Sequence, residues 1–293
     1  MYFSKMNPYT DKFLANEQNI QGSMRYEGLF LTALICEMLN AFECYGDMME
    51  IGIYKGRSAI AAACFLNENE NFWAVDPFEN IPNDEKIVAG GIGDHETFIM
   101  NWISVFGHTN NLKIFAQTSK DFSLIEADIK KKMKFKYISI DGDHSKTGTI
   151  FDLTLANRLT KDHGIIVVDD CFNIEWPSVQ EALNFFLDTH DDLVPLAAGW
   201  NKLFLCRNNH YREYHSFLGK NTQFLKKNIL GFWSKKSFEF HGKSIFIFNN
   251  RWKPGFLPDL SRDEYNFGLK YRKLKEGKSI FSKLVLKTIE IIS

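Results

Sequence analysis

Residues 137–144 read YISIDGDH and residues 165–170 read IIVVDD, and these two stretches decide the fold prediction. Each begins as a short apolar run rich in Ile or Val and ends directly in acidic residues. Unbroken apolar runs of this length are typical of strands that are buried on both faces of a parallel sheet. A segment of helix length at 146–160 separates the two runs. Together they predict an α/β protein.

The same alternation of apolar runs and amphipathic segments extends along most of the chain. Only five residues separate the last two apolar runs, which is too few for a helical crossover, so we expect these strands to pair antiparallel at one edge of the sheet. The predicted strands are residues 48–53, 72–75, 112–116, 137–140, 165–168, 193–197 and 203–206, and the predicted helices are 57–67, 95–106, 119–132, 146–160 and 176–188, after a helical segment at 15–45.

The composition excludes several classes of protein. With 293 residues, 45% of them hydrophobic, and only 7 Pro and 19 Gly, the chain can bury a full core and is neither disordered nor collagen-like. No apolar run approaches the roughly 20 residues that cross a bilayer. The five scattered cysteines form no C-x-x-C pair, which argues against a zinc site and a disulfide framework. A cytoplasmic location in a reducing compartment is therefore predicted.

The charge is distributed unevenly along the chain. Residues 1–206 contain 17 basic and 29 acidic residues, a net charge of −12, whereas residues 207–293 contain 18 basic and 7 acidic residues, a net charge of +11. A shift of this size predicts a boundary near residue 206. The expected organisation is a helical N-terminal segment at 1–46, a ligand-binding α/β domain at 47–206 and a basic, aromatic-rich α+β extension at 207–293.

The basic extension carries two recognisable patterns. Residues 237–240 and 244–248 alternate around His241-Gly242, which predicts a hairpin. The pattern of residues 280–292 predicts a basic amphipathic helix. We favour packing of this helix on the body or on a second subunit over contact of residues 280–293 with a membrane surface. No nucleic-acid-binding module is recognisable, so no nucleic-acid partner is expected. A homo-oligomer is predicted.

The first predicted strand leads into a glycine-containing loop, residues 49–58, MEIGIYKGRS. Its G-x-x-x-G spacing differs from the dinucleotide-binding and P-loop patterns, and a plain strand–helix turn is as good an interpretation as a ligand site. Asp76 ends the second strand about 20 residues beyond the loop. A carboxylate in that position can bind both ribose hydroxyls of a nucleoside, and the alternative is a capping residue.

Acidic residues also end the fourth and fifth predicted strands. Because the carboxyl ends of parallel strands meet at one rim, Asp141, Asp169 and Asp170 should lie close together, where they repel one another unless a cation binds them. Oxygen ligands of this kind suit Mg²⁺, Mn²⁺ or Ca²⁺. His144 lies beside them and could remove a proton from a substrate hydroxyl. The alternatives are helix-capping acids and a structural histidine.

The loop at 50–58, Asp76, the DGDH motif at 141–144 and the Asp169-Asp170 pair together resemble class I S-adenosylmethionine-dependent methyltransferases. The chain is most similar to the metal-dependent branch that includes macrocin-type sugar O-methyltransferases and cephalosporin-hydroxylase-like proteins. Residues 90–94 and 169–177 add to this resemblance, which covers about residues 20–206. It implies a Rossmann-like, seven-stranded methyltransferase sheet with helices on both faces.

The resemblance also implies roles for single residues. Asp141 would shape the cofactor pocket and also act in catalysis, with His144 as the base. S-Adenosylmethionine and Mg²⁺ or Mn²⁺ would be the cofactors. The implied cofactor-binding residues are Glu50, Gly52, Gly56 and Ser58 for the methionine moiety, Asp76 for the ribose and Ser119 near the adenine, and the implied metal ligands are Asp141, Asp169 and Asp170.

The function implied is metal-dependent O-methylation of a hydroxyl on a sugar, glycan or natural product. Two alternatives remain open: methylation of a small diol or catechol by the same fold, and a non-catalytic protein that binds S-adenosylmethionine. The long connection at residues 78–94 is predicted to close over a small-molecule or glycan acceptor, and the alternative is a solvated loop.

Overall fold

The computed structural model describes residues 7–22, 24–80, 91–126, 135–229 and 232–250. Among these residues, nine strands form one mixed sheet. The strands are β1 (Met48–Ile51), β2 (Phe72–Val75), β3 (Leu112–Phe115), β4 (Phe135–Ile140), β5 (Thr160–Val168), β6 (Leu193–Gly199), β7 (Lys202–Arg207), β8 (Phe232–Phe240) and β9 (Lys243–Asn250).

Eight α-helices accompany the sheet in the described residues, together with short 3₁₀ turns at Glu17–Asn19, Phe78–Asn80 and Ser123–Ile125. Side chains cap several helix starts: Asp94 accepts a hydrogen bond from the Thr97 amide at 2.8 Å. The helices are α1 (Pro8–Asn16), α2 (Tyr26–Ala41), α3 (Arg57–Ala63), α4 (His95–Phe106), α5 (Ser119–Phe122), α6 (Lys146–Leu159), α7 (Pro177–Thr189) and α8 (Tyr211–Asn228).

The strand order is β3-β2-β1-β4-β5-β7-β6-β9-β8. The first five strands in this order are parallel, as predicted, and β6 and β7 pair antiparallel, also as predicted. The seven predicted strands correspond to β1–β7, but the sheet has nine strands, because the hairpin of β8 and β9 joins it through a parallel pairing of β9 with β6. For the same reason the β6–β7 pair does not lie at an edge.

Helices cover both faces of the sheet. Since alternate residues of a strand point to opposite faces, neighbouring residues of one strand pack against different helices. Met48 packs into one apolar cluster, with α2, α3, α4 and α8, and Met49 packs into the other, with α6 and α7. The N-terminal helix contacts the C-terminal extension directly: the rings of Phe30 and Phe224 lie 6.3 Å apart. The α/β Rossmann-like fold is therefore confirmed, whereas the boundaries at 46 and 206 stay predictions.

Strand direction determines which residues meet at one rim. The carboxyl ends of β1, β2, β4 and β5 face this rim, and the start of β7 faces it too, since β7 runs antiparallel to β5. Trp200 (φ 48°) and Asn201 (φ 71°) form the two-residue turn that leads into β7. The carboxyl end of β9 lies on the same side, because β9 is parallel to β6.

Several predicted segments differ from the structure or lie outside the part it describes. The helical segment predicted at 15–45 is two helices, α1 and α2, joined by a 3₁₀ turn and a short connection. The predicted helix at 280–292, most of the loop at 78–94 and the end of the helix predicted at 119–132 lie outside the described residues. None of the helices in the described ranges has the length and apolar character to span a membrane.

Candidate active site

The glycines of the 49–58 loop are required by the chain's own packing. Gly52 has φ 86°, and a Cβ atom on it would lie 1.9 Å from the carbonyl oxygen of Asp141. Gly56 has φ 89°, begins α3, and would place a Cβ atom 2.3 Å from the ring of Phe98. Only glycine tolerates both this backbone conformation and such close approach. The loop between β1 and α3 is thereby pressed against the end of β4.

The carboxylate of Asp76 holds this loop in place through hydrogen bonds. Its Oδ2 atom accepts hydrogen bonds from the amides of Ile53 at 2.6 Å and Tyr54 at 3.0 Å, and its Oδ1 atom accepts one from Phe78 at 2.5 Å. Burial raises the pKa of Asp76, and these backbone hydrogen bonds offset part of that rise. The side chain thus positions the loop, and its predicted contact with a ribose stays a prediction.

Glu50 is a buried carboxylate at the end of β1. Its side chain is 1% exposed, and neither carboxylate oxygen has a well-aligned hydrogen-bond partner among the residues that the structure describes. Burial raises the pKa of Glu50 to about 8, although the charge of Lys202 and the nearby hydroxyl of Ser58 lower it in part. Such a group is costly unless a ligand provides a donor or a positive charge.

A cavity of about 1400 Å³ opens at the rim of the sheet. Gly56 does not line it, because this glycine packs on Phe98, so a direct contact of Gly56 with a ligand in this cavity does not fit the structure. The other predicted site residues all line the cavity: Glu50, Gly52, Ser58, Asp76, Ser119, Asp141, His144, Asp169 and Asp170.

Asp141, His144 and Asp170 form one cluster in this cavity. The Nε2 atom of His144 lies 3.1 Å from Asp170 Oδ2 and 3.8 Å from Asp141 Oδ1. The imidazole stacks on the ring of Trp176, with the ring centroids 4.4 Å apart. Burial disfavours the charged form of Asp170, yet hydrogen bonds from His144 and Asn173 outweigh this effect and hold its pKa below the usual value.

Asp169 has a different partner from the one predicted. The ammonium group of Lys202 binds its Oδ2 atom, and both side chains are largely buried. Burial alone would lower the pKa of Lys202, but the negative charges of Asp169, Asp141 and Glu50 outweigh it and raise the pKa above the usual value. Asp141, which keeps 27% of its side chain exposed, has a raised pKa because of partial burial and the charge of Asp169.

The three predicted metal-binding carboxylates all line the cavity, and two of them, Asp141 and Asp170, lie close enough to share one ion. One ligand atom from each of Asp141, His144 and Asp170 lies within 4.8 Å of the other two, and these three groups fit a single cation. Asp169 is paired with Lys202, and its role as a third oxygen ligand stays a prediction. With His144 as a ligand, this set suits Mn²⁺ or another transition metal, whereas with His144 free to act as a base, the two carboxylates alone suit Mg²⁺ or Mn²⁺.

Sequence reasoning missed several residues that line this cavity. Lys202 was overlooked because it begins an antiparallel strand, and Asp152 because it lies inside α6. Gly22 and Met24, from the N-terminal segment, and Asn249, from the end of β9, also contribute to the wall. The positive φ of Trp200 could not be foreseen, since a bulky residue rarely adopts it.

Comparison with known proteins agrees with part of this description. Residues 49–171 match the family model described as a methyltransferase domain. The match covers the loop after β1, the DGDH motif and the Asp169-Asp170 pair, and it supports the resemblance to a methyltransferase over this stretch. The narrower metal-dependent branch stays a prediction. Among curated proteins, none matches the sequence of this chain.

Solved structures of similar overall shape include several O-methyltransferases. The O-methyltransferase NovP is 14% identical, with 62% of this chain and 79% of that chain covered and a TM-score of 0.49. The O-methyltransferase from Bacillus cereus, in complex with SAH, is 16% identical, with 69% and 91% covered and a TM-score of 0.47. TomG from Streptomyces achromogenes is 15% identical, with 69% and 89% covered and a TM-score of 0.42. Similarity at this level does not define an activity.

Proposed function

We propose that the protein is an S-adenosylmethionine-dependent O-methyltransferase that acts on a hydroxyl of a sugar, glycan or natural product. The observation that carries this proposal is Glu50, a buried carboxylate whose oxygens have no well-aligned hydrogen-bond partner among the described residues. It lies at the cavity, inside the stretch that matches a methyltransferase domain. The ammonium group of a bound amino acid would supply the missing donor and positive charge.

The other residues of the cavity fit the remaining parts of this cofactor. Gly52 and Ser58 would flank the methionine moiety, because both line the cavity beside Glu50. Asp76 keeps one of its roughly four lone-pair sites free for a ribose hydroxyl, since its two carboxylate oxygens accept three backbone hydrogen bonds in total. Ser119 would lie near the adenine. When bound, S-adenosylmethionine supplies an electrophilic methyl group on its sulfonium.

His144 would serve as the general base for the acceptor hydroxyl. Its Nδ1 atom has no hydrogen-bond partner among the described residues, while Nε2 faces Asp170 and Asp141. A carboxylate beside an imidazole fixes the ring orientation and stabilises the imidazolium that forms when the ring takes up a proton. Positioned proton removal of this kind contributes typically about 10²-fold to 10⁴-fold in rate.

A dependence on a divalent cation is a finer part of the proposal. Asp141 and Asp170 would hold the ion, with His144 beside them, and the ion would stabilise the alkoxide that develops on the acceptor. Lys202 would pair with Asp169 and so reduce the negative charge at the rim. A small-molecule or glycan acceptor, a cytoplasmic location and a homo-oligomer complete the proposal.

Two experiments test the proposal. Titration calorimetry of the full chain with S-adenosylhomocysteine should show one binding site, and failure to bind would contradict the cofactor assignment. Methyl transfer from radiolabelled S-adenosylmethionine to a panel of sugars, glycans, natural products and catechols should then identify the acceptor class. Transfer to catechols alone favours the small-diol alternative. Binding without transfer to any acceptor favours a non-catalytic protein.

A further inference from the structure

Asp152 is a buried carboxylate in α6 that no part of the proposed chemistry uses. Its side chain is 1% exposed, it lines the cavity, and its Oδ1 atom has no hydrogen-bond partner among the residues described. Buried polar atoms are rarely left unsatisfied, and a carboxylate oxygen without a donor is especially costly. An unpaired buried acceptor at a ligand cavity indicates that a ligand donates to it.

The fold itself gives Asp152 no role at the start of the helix. Ser145 caps α6 by accepting a hydrogen bond from the Gly148 amide at 3.1 Å. Asp143 in turn accepts hydrogen bonds from the amide and the hydroxyl of Ser145, each at 2.8 Å. Asp152 lies beyond the first turn of α6, where helical amides bond to the backbone and need no capping side chain.

Two neighbours of Asp152 show where it meets the cavity wall. Its Oδ2 atom lies 3.1 Å from the position that a Cβ atom on Gly142 would occupy, so it rests against the turn after β4. The hydroxyl of Ser119, which begins α5 after β3, lies near the carboxyl group and lowers its pKa. Asp152 and Ser119 therefore approach each other across the ends of β1 and β2.

The choice of ligand group for Asp152 rests on the proposed function, in which Ser119 lies near the adenine. With the amino acid moiety at Glu50 and the ribose at Asp76, the base would lie beside Ser119 and Asp152, which both line the cavity. Adenine presents an exocyclic amine with two donor hydrogens on its outer edge. A carboxylate can only accept, so donor and acceptor are complementary.

We propose that Asp152 recognises the base of the methyl donor by accepting a hydrogen bond from the exocyclic amine of adenine. The pKa of Asp152 is raised to about 7, mainly by burial and to a smaller extent by the negative charge of Asp143. The nearby Ser119 hydroxyl and the positive charge of Lys120 offset part of this rise. The ionised acceptor therefore predominates at pH 8, which is the condition chosen for the test.

The test compares two ligands on the full chain at pH 8. One is S-adenosylhomocysteine and the other is its 6-deamino analogue, in which hydrogen replaces the amine. The wild-type protein should bind the deamino analogue about 10-fold to 150-fold more weakly, since the carboxylate then loses its donor. Asp152→Leu should reduce this ratio to about 3-fold or less, whereas Asp152→Asn, which keeps an acceptor oxygen, should retain a substantial part of it.

Asp121→Leu provides the matched control, because Asp121 also lines the cavity beside Ser119 but is exposed. The control should keep the wild-type ratio, and circular dichroism should show that each variant is folded. A wild-type protein that binds both ligands equally, or an Asp152→Leu protein that keeps the full ratio, overturns the proposal while the methyltransferase assignment stands. Loss of the ratio in Asp121→Leu and not in Asp152→Leu overturns it as well. If S-adenosylhomocysteine does not bind to the wild-type protein, both the proposed function and this inference fail.

Discussion

Raising the pH from 6 to 8 should tighten the binding of S-adenosylhomocysteine, because Glu50 must lose a proton before it can pair with the ligand's ammonium group. The pKa of Glu50 is raised to about 8 in the free protein by burial. About 1% of the side chain is then ionised at pH 6 and half at pH 8, so the binding constant should increase by at most about 50-fold, close to tenfold per pH unit at the acid end.

Glu50→Gln is the variant that isolates this effect, since Asp76, Asp169 and Lys202 remain in place around it. Calorimetry in buffers of different ionisation enthalpy should show release of close to one proton per bound ligand at pH 6 for the wild-type protein, and markedly less for Glu50→Gln. The variant should bind S-adenosylhomocysteine with a nearly flat pH dependence. Equal pH profiles for the two proteins would refute the assignment of Glu50 to the ammonium group.

The effect of raising the pH on the stability of the free protein is opposite to its effect on ligand binding. A raised pKa means that the fold favours protonated Glu50, so its contribution is intact below the unfolded pKa of about 4.3 and is lost as the pH rises through about 8. Urea unfolding should therefore show a smaller loss of stability between pH 6 and 9 for Glu50→Gln than for the wild-type protein. A steeper loss in the variant would contradict the burial argument.

Four further outcomes are expected. Gly52→Ala should lower the free energy of unfolding by about 3 kcal/mol or more, because its Cβ atom would collide with the Asp141 carbonyl, whereas Gly107→Ala, with φ 79° and no atom within 4 Å of the new Cβ, should cost only about 1 kcal/mol in urea unfolding. Lys202→Met should cost about 3–5 kcal/mol in the same assay by leaving Asp169 buried without its cation, and adding Asp169→Asn should recover part of this loss. His144→Ala should reduce kcat by about 10²-fold or more without weakening S-adenosylhomocysteine binding, and an unchanged kcat would exclude it as the base. EDTA should suppress transfer and Mn²⁺ or Mg²⁺ should restore it, and transfer that is insensitive to EDTA would remove the cation from the mechanism.

The parallel strands of the fold could be predicted because each of them is recognisable from its local sequence pattern. The apolar runs that became β4 and β5 are buried on both faces, so they show no alternation and are bounded by clear turns. The rule that ligands bind at the carboxyl ends of parallel strands then brought Asp141 and Asp170 together. The hairpin of β8 and β9 could be predicted for the same reason. Its pairing with β6 could not, since that contact joins residues about 50 positions apart in the chain.

The site was predicted less completely than the fold because two of its features depend on long-range geometry. Lys202 could not be predicted from the rule that site residues follow parallel strands, because in an antiparallel strand it is the first residue that reaches the rim. The sequence leaves open whether the glycines form a plain turn or a ligand site, and the contacts of Gly52 with Asp141 and of Gly56 with Phe98 explain them without a ligand. Spacing alone cannot distinguish these two causes.

The parallel addition of β9 to β6 has a consequence for how this scaffold could diversify. Asn249 reaches the cavity wall from a strand that belongs to neither the loop after β1 nor the acidic cluster. An exchange of this terminal hairpin between related proteins would remodel one part of the cavity wall and leave intact the residues that are proposed to hold the methyl donor. Acceptor choice and donor recognition could then evolve on separate parts of the chain.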